Sequence, residues 1–188
     1  IIKYYINTYT FKNSQELRDV VCLINFNDGI HKYLNNNGHI SYWDVSNVTN
    51  MSYLFKDIYI FNEDISSWDV SNVINMTSMF SKAYTFNQPL NNWDVSNVTD
   101  MYCMFYGAEM YNQPLNNWDV SKVTNMYCMF YSAKSFNKRL DNWNVSKVNN
   151  MNSMFNDAFS FNQPLNSWNM SSVTNIQFMF CDAREFNQ

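Results

Sequence analysis

What this chain lacks narrows its function before any pattern is read. No apolar run approaches the ~20 residues needed to cross a bilayer, although apolar residues make up 46% of the 188. The opening Ile-Ile-Lys-Tyr-Tyr-Ile has no initiator Met, no long apolar stretch and no small-residue cleavage site. It is not a signal peptide as it stands, and the chain is expected to be a fragment or a processed form. Positive charge is in deficit: net charge is -4, the pI is ≈ 5.0 and the basic residues are scattered singly. That balance argues against a nucleic-acid groove and against an anionic membrane surface. The two histidines, His31 and His39, lie far from every cysteine except Cys22. None of Cys22, Cys103, Cys128 and Cys181 forms a Cys-x-x-Cys pair, so a zinc site has no sequence support. No Ser, Thr or Cys has a histidine in register with it, which leaves nucleophilic catalysis without a base.

What is present is a period. Trp43, Trp68, Trp93, Trp118, Trp143 and Trp168 stand 25 residues apart. A fixed interval of this size is the mark of a solenoid. Val45 and its equivalents follow at two residues, with Met170 in the last copy. Val48, Val73, Val98, Val123, Val148 and Val173 stand at five. Then come the columns beginning Met51 and Phe55, with Ile176 the single Met replacement and no insertion anywhere. Within a copy the spacing changes. Trp93-x-Val95 predicts a short strand turning two side chains inward. Met101, Met104, Phe105 and Ala108 predict one stripe of a short helix. Thr49, Thr99, Thr124, Thr174 and Asn149 stand where that helix needs a cap, Ile74 being the exception. The fold expected is an α/β repeat solenoid of six coils over 40–188, each with one short parallel strand and one short helix. Strands ~4.8 Å apart would make it about 30 Å long.

Residues 1–39 fall outside the period and read as an N-terminal cap. Asn13-Ser-Gln-Glu16 resembles a capping box, and Leu17, Val20, Val21 and Ile24 form an apolar helical face. The chain stops at Phe186-Asn187-Gln188 within a repeat, so further coils or a covering partner are expected there.

The pattern Leu-x-x-Trp-x-Val-x-x-Val-x-x-Met-x-x-Met-Phe-x-x-Ala-x-x-Phe-Asn is similar to the repeat of BspA-family leucine-rich-repeat surface proteins. It resembles most the Trp-Asp-Val-Ser version found in surface lipoproteins of wall-less bacteria, in protists and in large DNA viruses. The resemblance covers about residues 40–188, and Phe11-Lys-Asn-Ser-Gln-Glu-Leu to Gly38-His-Ile-Ser resembles the family's entry segment. It implies a leucine-rich-repeat solenoid without catalytic activity or cofactor, acting in adhesion or protein recognition. The implied location is a cell surface, the extracellular space or a virion. The unpaired cysteines leave a cytoplasmic location open. The chain departs from the pattern at Asn144 and Asn169, where Asp normally follows Trp, and at Cys103 and Cys128.

Several columns admit two readings. Asp44, Asp69, Asp94 and Asp119 could form a row of cation sites, but no second hard ligand accompanies them and Ca²⁺ wants ~6–8 oxygens. The structural alternative has them bond Ser or amide groups of adjacent coils. The unbroken column Asn62, Asn87, Asn112, Asn137, Asn162 and Asn187 can chain its amides from coil to coil. Cys103 and Cys128 read as packed free thiols or as a disulfide between adjacent coils. Sequons such as Asn47-Val-Thr49 and Asn97-Val-Thr99 read as by-products of the repeat. Information lies where the copies differ. Tyr102 and Tyr106, then Tyr127 and Tyr131, stand four apart in two successive repeats, with Met110 and Tyr111 nearby. They predict an aromatic patch for a protein or glycan-bearing partner, or else half-buried filler on a narrow helix. A second reading of the whole chain is a structural spacer that self-associates end to end.

Overall fold

Each 25-residue repeat forms one coil, and successive coils stack in register. The structure, a computed structural model, describes residues 9–24 and 38–188. Residues 1–8 and 25–37 of the expected cap, His31 among them, lie outside the described residues. Parallel bridges join Asn50 to Asn75, Asn75 to Asp100, Asp100 to Asn125, Asn125 to Asn150 and Asn150 to Asn175. They are isolated bridges, not strands, and they fall after the Trp-x-Val segment rather than on it. That segment consists of tight turns: Trp93 N–H donates to Leu90 O at 3.0 Å and Val98 N–H to Val95 O at 2.9 Å.

The short helix expected in every repeat is absent from the described residues, and a run of turns takes its place. Leu54 N–H donates to Met51 O at 3.3 Å, and Ile58 N–H to Phe55 O at 3.2 Å. The third residue of each of these turns is left-handed, Tyr53 at φ 62° and Asp57 at φ 61°. Both positions recur in every coil, and Gly107 at φ 67° is the only glycine among them. Asp57, Asp157 and Asp182 suit such a site better than most residues, because a short polar side chain tolerates this region. The turns present alternate amides sideways. Met51, Tyr53, Phe55 and Asp57 donate to the carbonyls of Asn75, Thr77, Met79 and Ser81 at 2.8–2.9 Å. A helix would have spent those amides within the segment. Consequently Thr99, Thr124 and Thr174 cap no helix; their hydroxyls donate to the carbonyl of the equivalent residue one coil back.

Inside the stack the apolar columns are buried through the first five coils, and in the last coil Leu165, Met170, Val173, Phe180 and Phe186 are half-buried and Ile176 is exposed. Phe55 to Phe180 form one ring column with centroids 5.5–5.7 Å apart. Each buried indole also stitches coils: Trp68, Trp93, Trp118, Trp143 and Trp168 Nε1 donate to a carbonyl 28 residues earlier at 2.8–3.2 Å. Buried Trp needs such a partner for its polar tip. The Asn column forms a ladder in which each Oδ1 accepts the backbone N–H of the next Asn, at 2.9–3.0 Å.

The N-terminal side is closed by α1, Ser14–Ile24. Asn13 Oδ1 accepts from Gln15 and Glu16 N–H, both at 3.0 Å. Glu16 answers by accepting from Lys12 N–H rather than from Asn13. Phe11, Leu17, Val20 and Val21 are buried. The Arg18 guanidinium donates to Ser52 O and to Asn50 O. In later coils the equivalent carbonyls receive amides from the preceding coil, so Arg18 substitutes for a coil that is not there.

Candidate functional site

The side chains that vary between coils lie on the outward flank of the turn run. Tyr102 and Tyr127 occupy one column of adjacent coils and stack with centroids 5.0 Å apart and planes at 8°. Tyr106 and Tyr131 stack at 4.8 Å and 10° in the next outward column. Coil spacing alone sets these distances, since equivalent residues sit one rung apart. Tyr102 is 37% exposed, and Tyr106, Tyr127 and Tyr131 are half-buried. Desolvation pushes the Tyr102 phenol up to about 12. Tyr127 is raised chiefly by its contact with the Cys128 thiol and Tyr131 by burial. These phenols therefore stay protonated hydrogen-bond donors across the neutral range.

Two members of the expected patch part company with it. Tyr111 is 0% exposed, so it cannot contact a partner. It fills the ring column between Phe86 and Phe136, at 5.8 Å and 6.2 Å, where every other coil has Phe. Reading that column downward would have shown it. Its hydroxyl is buried without a hydrogen-bond partner among the described residues. Met110 is 55% exposed but sits beyond the turn run, its amide bonded to Tyr84 O at 3.1 Å.

Sequence reasoning missed a second outward ridge, one residue before Met110 in the repeat. Tyr59 stacks on Tyr84 at 5.0 Å, Lys134 pairs with Glu109 at 2.8 Å, and Arg184 lies 4.3 Å over the Phe159 ring. All six residues belong to a single column, matched pair by pair between adjacent coils. Tyr53, 52% exposed, was also missed, because its place in a turn was hidden by the helical spacing.

The other candidate columns are structural. In the Asp column, Oδ1 of Asp44, Asp69, Asp94 and Asp119 accepts the N–H of the Ser two residues on, at 3.0 Å. These bonds lie within a coil, not between coils. Asn144 and Asn169 make the same turn at 3.2 and 3.1 Å, which explains why Asn can replace Asp there. Among the described residues no cluster of His, Cys, Asp and Glu could hold a metal ion. All four cysteines are free, Cys103 and Cys128 buried, Cys22 and Cys181 exposed. The Asn97 amide of one sequon donates to Ser71 O at 2.8 Å, so a glycan there would break a coil contact. No helix among the described residues is long and apolar enough to cross a membrane.

A family model described as "Mycoplasma protein of unknown function, DUF285" matches residues 23–135 and again 114–188. No curated protein and no solved structure matches the chain.

Proposed function

The chain belongs to the DUF285 family, and from that premise we propose that it is a non-enzymatic interaction module. In this reading it is a leucine-rich-repeat solenoid of the BspA type, displayed at a cell surface, outside the cell or on a virion. It binds a protein or glycoprotein partner. The observation that carries the reading is the two stacked tyrosine pairs on the outward flank. Tyr supplies contact area with a polar tip at low side-chain entropy cost. Stacking on the neighbouring ring holds each phenol in place before a partner arrives, which reduces the ordering cost of binding.

The test is adhesion of the chain to a panel of immobilised matrix proteins and mucins. Tyr102→Ala with Tyr127→Ala is expected to weaken the strongest interaction by about tenfold or more. Circular dichroism and Tm should stay near those of the wild type. A variant that unfolds, or one that adheres as well as the wild type, overturns the reading, as does a wild-type chain that adheres to nothing in the panel.

The spacer reading draws on a different observation. Amides of Ile176, Phe178, Phe180 and Asp182 stand one residue past the carbonyls that the fifth coil uses, and have no partner among the described residues. Beside them an apolar cavity of ≈ 250 Å³ is lined by Leu165, Trp168, Met170, Ile176 and Phe180. End-to-end self-association would cover both. Light scattering that shows a mass independent of concentration overturns this second reading.

A further inference from the structure

A depression on the same flank has the chemistry of a ligand slot. Its cavity of ≈ 370 Å³ spans three coils. Tyr53 and Lys56 come from the first, Ser78, Ser81 and Lys82 from the second, Tyr102, Cys103 and Tyr106 from the third. The slot exists because small residues in the second coil lie between large ones in the first and third. Lys56, Ser81 and Tyr106 are in fact one column. Adjacent coils place stacked rings 4.8–5.0 Å apart, so walls two coils apart stand about 10 Å centre to centre. Subtracting the half-thickness of each wall leaves room for one puckered ring, or for one side chain.

The lining is specific in charge and in hydrogen bonding. Ser78 and Ser81, 4% and 5% exposed as residues, line the slot, and their hydroxyls have no hydrogen-bond partner among the described residues. Tyr111 Oη is the only fully buried side-chain polar atom without a partner among the described residues, so both serine hydroxyls are open to solvent and available to a ligand. Both charged residues lining the cavity are lysines. They share a single carboxylate, Asp57, at 3.9 Å from Lys56 and 3.7 Å from Lys82. One positive charge is therefore left over, beside phenol faces that accept apolar C–H groups.

We infer that this slot binds a sugar ring carrying a carboxylate, as at an acidic residue of a glycan. The anion meets Lys56 and Lys82, the ring hydroxyls meet Ser78 and Ser81, and the C–H face lies on Tyr102 or Tyr106. The inference rests on reading the flank as a recognition surface, and it names what the surface recognises. An acidic peptide side chain would use the lysines but would leave the two serines and the aromatic face unused.

Titration of the full ¹⁵N-labelled chain with sodium glucuronate tests it, with glucose, N-acetylglutamate and acetate as comparisons. Glucuronate is expected to shift the Ser78, Ser81 and Tyr102 amides saturably, at least about tenfold more tightly than the other three. Lys56→Gln with Lys82→Gln, and separately Ser81→Ala, should weaken it by a similar factor while the remaining spectrum stays native. Equal binding of N-acetylglutamate or acetate overturns the inference, because charge alone would then suffice. So do native-like variants that bind glucuronate unchanged, and so does the absence of shifts. Tyr127→Ala with Tyr131→Ala removes no lining residue, only the rings on which Tyr102 and Tyr106 stack, and should weaken glucuronate binding less than the lysine pair does. If that variant loses adhesion to the glycoprotein panel while glucuronate never binds, the slot falls and the wider reading of the flank survives.

Discussion

At the scale of single residues, Tyr111 is the anomaly. Its ring repeats the packing of Phe86 and Phe136, but its hydroxyl is buried with no partner among the described residues. An unsatisfied buried polar group costs about 1–3 kcal/mol. Tyr111→Phe should therefore raise stability by roughly that amount in urea unfolding, and a destabilised variant would show that the hydroxyl has a role the contacts do not reveal. The Asp column sets a pH dependence. Hydrogen bonds from Ser46, Ser96 and Ser121 hold the carboxyls of Asp44, Asp94 and Asp119 below the ordinary value. A depressed folded pKa contributes stability that is complete above the unfolded value of about 3.9 and is lost as pH falls through the folded one. Asp94→Asn with Asp119→Asn should flatten the loss of stability below about pH 4 while keeping both turns, as Asn144 and Asn169 do. Urea midpoints measured from pH 7 to pH 2.5 would decide it.

At the scale of elements, α1 and the turn run share one problem, the exposed edge of a coil. Between coils the problem is solved four times per junction by amides that the left-handed residues turn outward. At the first coil it is solved by side chains of α1: Ser14 Oγ accepts Asn50 N–H at 3.0 Å, and Arg18 reaches the carbonyls of Asn50 and Ser52. Charged hydrogen bonds of this type are worth about 1.5–3 kcal/mol. Arg18→Ala should release the edge locally, which hydrogen exchange would show as faster exchange in residues 44–58 with the later coils unaffected. Uniform acceleration along the chain would mean that the stack unfolds as one unit and that the cap is not a separate element.

At the scale of the whole molecule, the unit of change is 25 residues. Each coil contacts only its neighbours, so stability is a sum of near-identical junctions. Removing residues 115–139 brings Pro114 to Leu140 and keeps every column in phase. That deletion should still fold, with Tyr102 now beside Asn152 in place of Tyr127, and should lose adhesion through the tyrosine flank. Removing 12 residues instead puts polar positions under the Trp and Phe columns and should abolish cooperative unfolding. Circular dichroism of the two deletions separates the outcomes. A 12-residue deletion that folds would refute the register argument.

The sequence by itself determined the period, the membership of each column and the identity of the buried residues. Burial of Trp, Val, Met and Phe at fixed spacing needs no tertiary information, and the Asn ladder follows from identical amides one coil apart. It also held the distinction between Tyr111 and the outward tyrosines, in the Phe column that surrounds Tyr111. Only the tertiary structure decided what backbone carries those columns. Met-x-x-Met-Phe-x-x-Ala turns the same residues inward whether the chain winds as a helix or as consecutive four-residue turns, so spacing cannot separate the two. The choice rests with the amides: in a stack, those of a turn run can reach the next coil and those of a helix cannot. Tertiary structure likewise made the slot beside Tyr102, because its depth depends on small side chains of one coil lying between large ones of its neighbours.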